Sequence, residues 1–307
     1  MADLQVKLGN LSLSNPLVTC SGTFGFGSEY ADIVPLNKLG AITVKGISSQ
    51  PANGNPTPRT AEVYSGMLNA IGLQNPGVEK FINDPEYLPS FENIDTPLFV
   101  NIWGKTLEEY AQVAQSLDEV GKQISALEIN ISCPNIKEGG MAFGTDLDNA
   151  ARVVETVRDV TSLPLITKLS PNVTSIGQFA RKVVDAGTDM ISLINTIPAM
   201  SIDIESQKPS LANITGGLSG PAIKPIAVRM VYEAAHAVDV PIIGMGGVTS
   251  GDDVVEFMLA GADAVGVGTS IFSNPGHLMT MLEELEQYLD NHGFTSVTDL
   301  TGAVKTS

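Results

Sequence analysis

A thiol, a set of side-chain amides and two lysines recur at the ends of apolar segments in this chain, and each of these groups can do chemistry. The segment Leu127-Glu128-Ile129-Asn130-Ile131-Ser132-Cys133-Pro134-Asn135 runs from alternating apolar residues into a turn that holds one of the two cysteines. A thiol at such an edge can act as a base or nucleophile, and the proline after it fixes the exit of the chain. Most free cysteines are small buried hydrophobes, but the flanking Asn130 and Asn135 suit a polar ligand better than a core. Lys45, Asn101, Lys168 and Asn195 end four other apolar runs, and Asn69 lies on a loop. Amides donate and accept, so as a set they match a heterocycle with alternating N–H and C=O groups. One such asparagine alone would be read as a turn former. A lysine that ends an apolar strand needs a counter-charge or a ligand, because an unpaired buried ammonium is too costly.

A second set of groups points to phosphate. Gly244-Met245-Gly246-Gly247-Val248 and Gly266-Val267-Gly268-Thr269-Ser270 close the last two apolar runs, where backbone N–H groups commonly bind phosphate in barrels. Any single glycine there is equally well a tight turn; two clusters on adjacent strands favour the ligand. No Walker or dinucleotide fingerprint narrows its identity. His236, His277 and His292 all fall in helical segments, so the usual proton carrier is missing from the strand ends and the role passes to Cys133. Neither zinc spacing nor an acid cluster occurs there, and no metal is expected. A phosphate-bearing cofactor, a thiol base and a polar-heterocycle pocket together suggest proton removal coupled to hydride transfer to a flavin.

The elements that must position these groups read as strands over 16–20, 41–45, 98–102, 126–131, 165–169, 190–195, 241–245 and 264–268. Helical patterns over 107–120, 147–160, 176–186, 221–237, 252–260 and 275–291 fill most of the gaps. Continuous apolar strands joined by helices pair in parallel with both faces covered, and eight repeats close as an α/β fold, the (β/α)8 TIM barrel. Leu4 to Leu13 alternates around Gly9-Asn10 and reads as an N-terminal β-hairpin plugging the barrel bottom. The connections 46–74 and 197–220 are too long for simple loops and are expected to roof the site as long active-site loops. No composition break divides residues 1–307, so one catalytic domain is expected.

The chain has 307 residues and a formal charge of −17. That sign opposes binding to nucleic acid or to anionic membranes, so neither is an expected partner. No apolar run reaches the roughly 18 residues of a membrane span, and no secretion signal is evident at the start. A cytoplasmic location follows as the expectation, with Cys20 and Cys133 kept as thiols.

The chain resembles the class 1 dihydroorotate dehydrogenases, and within them the class 1B catalytic subunits, nearly end to end. The resemblance is carried by Thr19-Cys20-Ser21-Gly22-Thr23-Phe24-Gly25, Lys45-Gly46, Gly54-Asn55-Pro56-Thr57-Pro58-Arg59, and the run from Gly66 through Asn69-Ala70-Ile71-Gly72-Leu73 to Gly77. It continues through Asn130 to Asn135, Lys168-Leu169-Ser170-Pro171-Asn172, Ile194-Asn195-Thr196, Thr215 to Gly220, Gly246-Gly247 and Gly268-Thr269. It implies FMN held by Ser21, Lys45, Gly46, Asn101, Asn130, Lys168, Ile194, Gly220, Gly246, Gly247, Gly268 and Thr269. It implies dihydroorotate contacts from Lys45, Asn69, Ala70, Ile71, Gly72, Leu73, Asn130, Asn195 and Thr196. Cys133 would take the C5 proton while the C6 hydride passes to the flavin, giving orotate in the synthesis of pyrimidines. One departure is Trp103, where the family pattern has a small residue; it bears on local packing and not on the chemistry.

The resemblance also implies an electron-transfer subunit carrying FAD and a [2Fe-2S] cluster, which passes electrons to NAD. Two cysteines cannot supply the four such a cluster needs, and no G-x-G-x-x-G unit for NAD is present. A 2+2 heterotetramer built on a catalytic homodimer is the expected assembly. The alternatives are a class 1A type homodimer that reduces fumarate, and a barrel that binds a phosphate ligand without redox chemistry.

Overall fold

In this computed structural model, which describes residues 2–132 and 143–306, eight short apolar segments pair in parallel around one axis. In chain order the strands are β1 Val6–Leu8, β2 Leu11–Leu13, β3 Leu17–Thr19, β4 Ile42–Ile47, β5 Thr60–Val63, β6 Gly66–Asn69, β7 Leu98–Ile102 and β8 Ala126–Asn130. There follow β9 Leu165–Lys168, β10 Met190–Leu193, β11 Ile197–Ala199, β12 Ile202–Asp203, β13 Lys208–Pro209, β14 Gly216–Ser219, β15 Ile242–Met245 and β16 Ala264–Val267. The helices are α1 Val78–Asn83, α2 Leu107–Asp118, α3 Leu147–Arg158, α4 Ile176–Asp185, α5 Lys224–Ala235, α6 Gly251–Ala260 and α7 His277–His292.

The main sheet runs β3-β16-β15-β10-β9-β8-β7-β4, and a parallel bridge between Val18 and Ala41 joins its two ends into a barrel. All eight expected strands and the order of the helices between them are as read from the sequence. Nearly every residue of these strands is buried, because helices cover the outside and side chains fill the inside. This accounts for their continuous hydrophobic character. Helix starts follow from capping: Thr106, Asp146 and Ser250 each accept a backbone N–H from the first turn of α2, α3 and α6. The expected helix over 221–237 opens instead as a 3₁₀ turn, Pro221–Ile223, before α5. The expected N-terminal hairpin forms, with Val6 opposite Leu13 and Gly9 at φ +60° in its turn. Lys7 and Ser12 line one cavity with Asp263, just before β16, so the hairpin sits at the barrel's N-terminal end.

The two long connections are not open loops. Segments from both combine in one antiparallel sheet, β11-β14-β6-β5. Its strands are rich in Gly and Pro and only partly buried, so they carry none of the apolar alternation by which strands are recognised. Asn69, read as a loop residue, is the last residue of β6.

Candidate active site

The side chains that alternate inward at the C-terminal ends of β7, β8, β9 and β10 form a polar layer. Asn101 lies opposite Glu128 in the pairing of β7 with β8, and Lys168 lies opposite Asn130 and Ser192 on its two sides. Glu128 stands at the centre and is 2% exposed. Its Oε2 accepts from Asn101 Nδ2 at 2.6 Å and lies 3.6 Å from Lys168 Nζ, while its Oε1 accepts from Ser192 Oγ at 2.8 Å. Lys168 Nζ also donates to Ser21 Oγ at 3.3 Å, which ties the end of β3 into the layer. Asn130 is fixed from two directions: Tyr110 Oη donates to its carbonyl at 2.8 Å, and its Oδ1 accepts the Ser132 N–H at 3.1 Å.

Beside this layer lies a floor of backbone without side chains. A Cβ at Gly46 would stand 2.6 Å from Asn101 Oδ1 and 3.1 Å from Trp103 Cδ1. The tryptophan is buried and packs over this glycine, and its Nε1 has no hydrogen-bond partner among the described residues. Gly246 and Gly247 have φ of +129° and +87°, a region that disfavours any side chain. A Cβ at Gly247 would lie 2.9 Å from the Gly220 carbonyl oxygen, and one at Gly246 would lie 3.3 Å from Ile194 Cγ1. Gly220, Ile194, Gly246 and Gly247 therefore meet at one place, while Gly268 and Thr269 follow β16 next to Cys20. Close approach of an anion to exposed backbone N–H groups is the use such a floor permits.

The small sheet supplies the third wall. Gly217 pairs with Asn69, whose Nδ2 donates to the Gly217 carbonyl at 3.4 Å, and a Cβ at Gly217 would collide with Thr196. Asn195 Oδ1 accepts the Thr196 N–H at 2.7 Å. The 70–73 segment is held by Asn55, whose backbone N–H and Nδ2 donate to the carbonyls of Ile71 and Ala70. Lys45 is half-buried where this wall meets the barrel. Burial pushes its ammonium below the ordinary lysine range, nearby Arg59 pushes it further down, and Glu29 partly compensates. Two cations crowded in this way favour an anionic ligand.

Cys133 lies outside the described residues. The other thiol, Cys20, is buried 3.7 Å from Met245 Sδ, and burial pushes it up to about 12 despite the charge of Lys168. Such a thiol is no base at neutral pH. Cys20 is accordingly expected to resist a thiol reagent at pH 8: Cys133→Ala protein should stay unlabelled until denatured, and one rapid equivalent would contradict its burial. His277 and His292 are the first and last residues of α7 and His236 caps the end of α5, with His236 and His292 exposed. No group of residues able to hold a metal ion occurs among the described residues.

The described candidates therefore converge on the C-terminal mouth of the barrel and its small sheet. Glu128, Ser192 and Tyr110 were not singled out in the sequence. Glu128 carried a usable signal, an acid in the middle of a strand with apolar neighbours. Ser192 and Tyr110 carried none, since both are ordinary in such segments.

Comparison with known proteins adds an independent line. The family model for dihydroorotate dehydrogenase matches residues 3–289. A protein of Geotalea uraniireducens named "Dihydroorotate dehydrogenase B (NAD(+)), catalytic subunit" is 53% identical over 304 residues, covering 99% of both chains. Proteins of the same name from Pelobacter propionicus and Desulforamulus reducens are 54% and 52% identical, over 99% and 98% of both chains respectively.

Proposed function

The chain belongs to the dihydroorotate dehydrogenase family, and from that premise we propose that Cys133 and the polar layer around Lys168 carry its reaction. It is a flavin-dependent oxidoreductase that oxidises dihydroorotate in pyrimidine biosynthesis, and like its relatives it acts as an NAD-linked catalytic subunit. The residues present fit FMN. The glycine floor at Gly246, Gly247 and Gly220 suits a phosphate, while Asn101, Lys168, Gly46 and the unpartnered Trp103 indole N–H suit a polar ring system. When bound, FMN supplies the acceptor for the C6 hydride of dihydroorotate.

The chain's own residues do the rest. Cys133, as thiolate, takes the C5 proton and forms no bond to the substrate. Lys168 offsets the negative charge that a reduced flavin carries. Asn69, Asn195, Thr196 and Asn130 present amide and hydroxyl groups to the pyrimidine ring, and the 70–73 backbone closes beside it. Lys45, crowded by Arg59, receives the substrate carboxylate. The observation that carries this reading is the meeting of Lys168, Asn101 and Ser21 beside Gly46, with the anion-ready floor adjoining.

The two titrating groups imply a bell-shaped pH profile for flavin reduction. The rising limb is Cys133, from an ordinary thiol value of about 8.5 unless its surroundings lower it. The falling limb is Lys45: its value is depressed, so its charge is lost as pH rises through a point below the ordinary lysine value, and substrate binding weakens there. KM should climb on the alkaline side in native protein and stay flat in Lys45→Met; a native KM flat to pH 10 would remove Lys45 from carboxylate binding.

We assign FAD and a [2Fe-2S] cluster to a partner subunit, as the resemblance implies; for the cluster, the two cysteines of this chain support that reading. The cytoplasm, where thiols persist, is the proposed location, and no helix among the described residues is long and apolar enough to cross a membrane. Self-association is supported by Met200, Ile202, Ile204 and Ile214, which expose apolar side chains along one excursion. Ile204→Asp is expected to convert a dimer to monomer in sedimentation, and an unchanged mass would put the interface elsewhere. The acceptor assay tests the overall assignment: the FMN-loaded chain should not reduce NAD alone and should do so with the partner. Rapid turnover with fumarate would transfer it to the class 1A type.

A further inference from the structure

Glu128 is a charged group that neither packing nor the chemistry above requires. An acid buried in a barrel interior is costly, and an apolar residue of similar volume is often as stable or more so. Both of its oxygens accept hydrogen bonds and neither donates, which is the pattern of a carboxylate. Its partners come from three different strands, and two of them, Asn101 and Lys168, are candidate flavin contacts. The bond to Asn101 commits Nδ2 to Glu128 and leaves Oδ1 facing the Gly46 side. The 3.6 Å approach to Lys168 offsets part of the ammonium's charge while leaving it free to donate to Ser21.

We propose that Glu128 is a positioning residue that sets the reduction potential of the bound flavin: it orients Asn101 and tempers Lys168, keeping the reduced cofactor a strong enough reductant to pass electrons onward. The proposal rests on the reading that FMN lies against Lys168. A lysine alone would stabilise reduced flavin and hold its electrons, which opposes delivery to a nicotinamide. A fixed anion behind that lysine lowers the potential without removing the hydrogen-bond donor. A full charge in a water-poor site several ångströms away is worth about a factor of ten in such an equilibrium.

The test measures the midpoint potential of FMN in the isolated chain by equilibration with a reference dye, alongside FMN dissociation and thermal melting. Glu128→Gln should raise the ratio of reduced to oxidised flavin about tenfold at fixed poise, about 30 mV for two electrons. Glu128→Asp keeps the charge and should stay within about threefold of the native ratio. A purely structural role would lower melting temperature and FMN affinity without moving the ratio in the Gln protein, and that result overturns the proposal. A tenfold shift in the Asp protein overturns it too, and decides the matter if the Gln protein does not retain FMN. Dihydroorotate bleaching of the native flavin keeps the tests separate: bleaching with an unmoved Gln ratio removes only this inference, whereas no bleaching removes the reading beneath it.

Discussion

Cys133→Ala should slow reduction of bound FMN by dihydroorotate by at least about a hundredfold while leaving the cofactor in place, the size of effect a positioned base supplies. The argument is one of elimination joined to family membership. His236 and His292 are exposed at the C-terminal ends of α5 and α7, and His277 is the first residue of α7. Cys20 is pushed up to about 12 and packed against Met245. Glu128 is committed to three partners within the layer. The second thiol, Cys133, is the base that the family resemblance implies. Cys133→Ser should retain a little activity that rises with pH, since an alkoxide is far harder to form than a thiolate. The check is anaerobic stopped-flow at the flavin absorbance, and an undiminished rate in the alanine protein would sink the role.

Lys168→Met should be the more damaging substitution for the protein itself. The ammonium is buried beside a carboxylate that is 2% exposed, and its removal leaves that charge without its only cationic partner among the described residues. Breaking one side of a buried pair costs about 3 kcal/mol or more, here moderated by the Asn101 and Ser192 hydrogen bonds that remain. Melting temperature should fall by several degrees, FMN should bind more weakly, and any retained flavin should be reduced far more slowly. Lys168→Met/Glu128→Gln, which removes both charges, should recover much of the lost stability and little of the activity. Equal destabilisation of single and double variants would show that the pair is not coupled.

The barrel was legible because its strands are uninterrupted apolar runs and its helices carry a 3.6-residue period. Boundaries shifted by a few residues, as at Pro221, where a 3₁₀ turn precedes α5, and at β4, which runs on to Ile47. The small sheet was not legible, because Gly216, Gly217 and Pro198 pair through backbone alone and leave no side-chain pattern. Strand-end amides and lysines were legible as residue types, since polar groups ending buried strands stand out. Their mutual contacts were not: Ser192 meets Glu128 only because β10 and β8 flank β9. Trp103 fits because Gly46 offers a face without a side chain. That complementarity joins two strands and cannot be seen in either alone.

The most direct measurement is the anaerobic addition of dihydroorotate to the purified, FMN-loaded chain without its partner. The flavin absorbance should bleach at a rate limited by Cys133, with orotate formed in equal amount to FMN reduced. Bleaching should stop after that single turnover, because the chain holds no onward acceptor. An absorbance unchanged by dihydroorotate, in protein that binds FMN and is reduced by dithionite, would contradict the account.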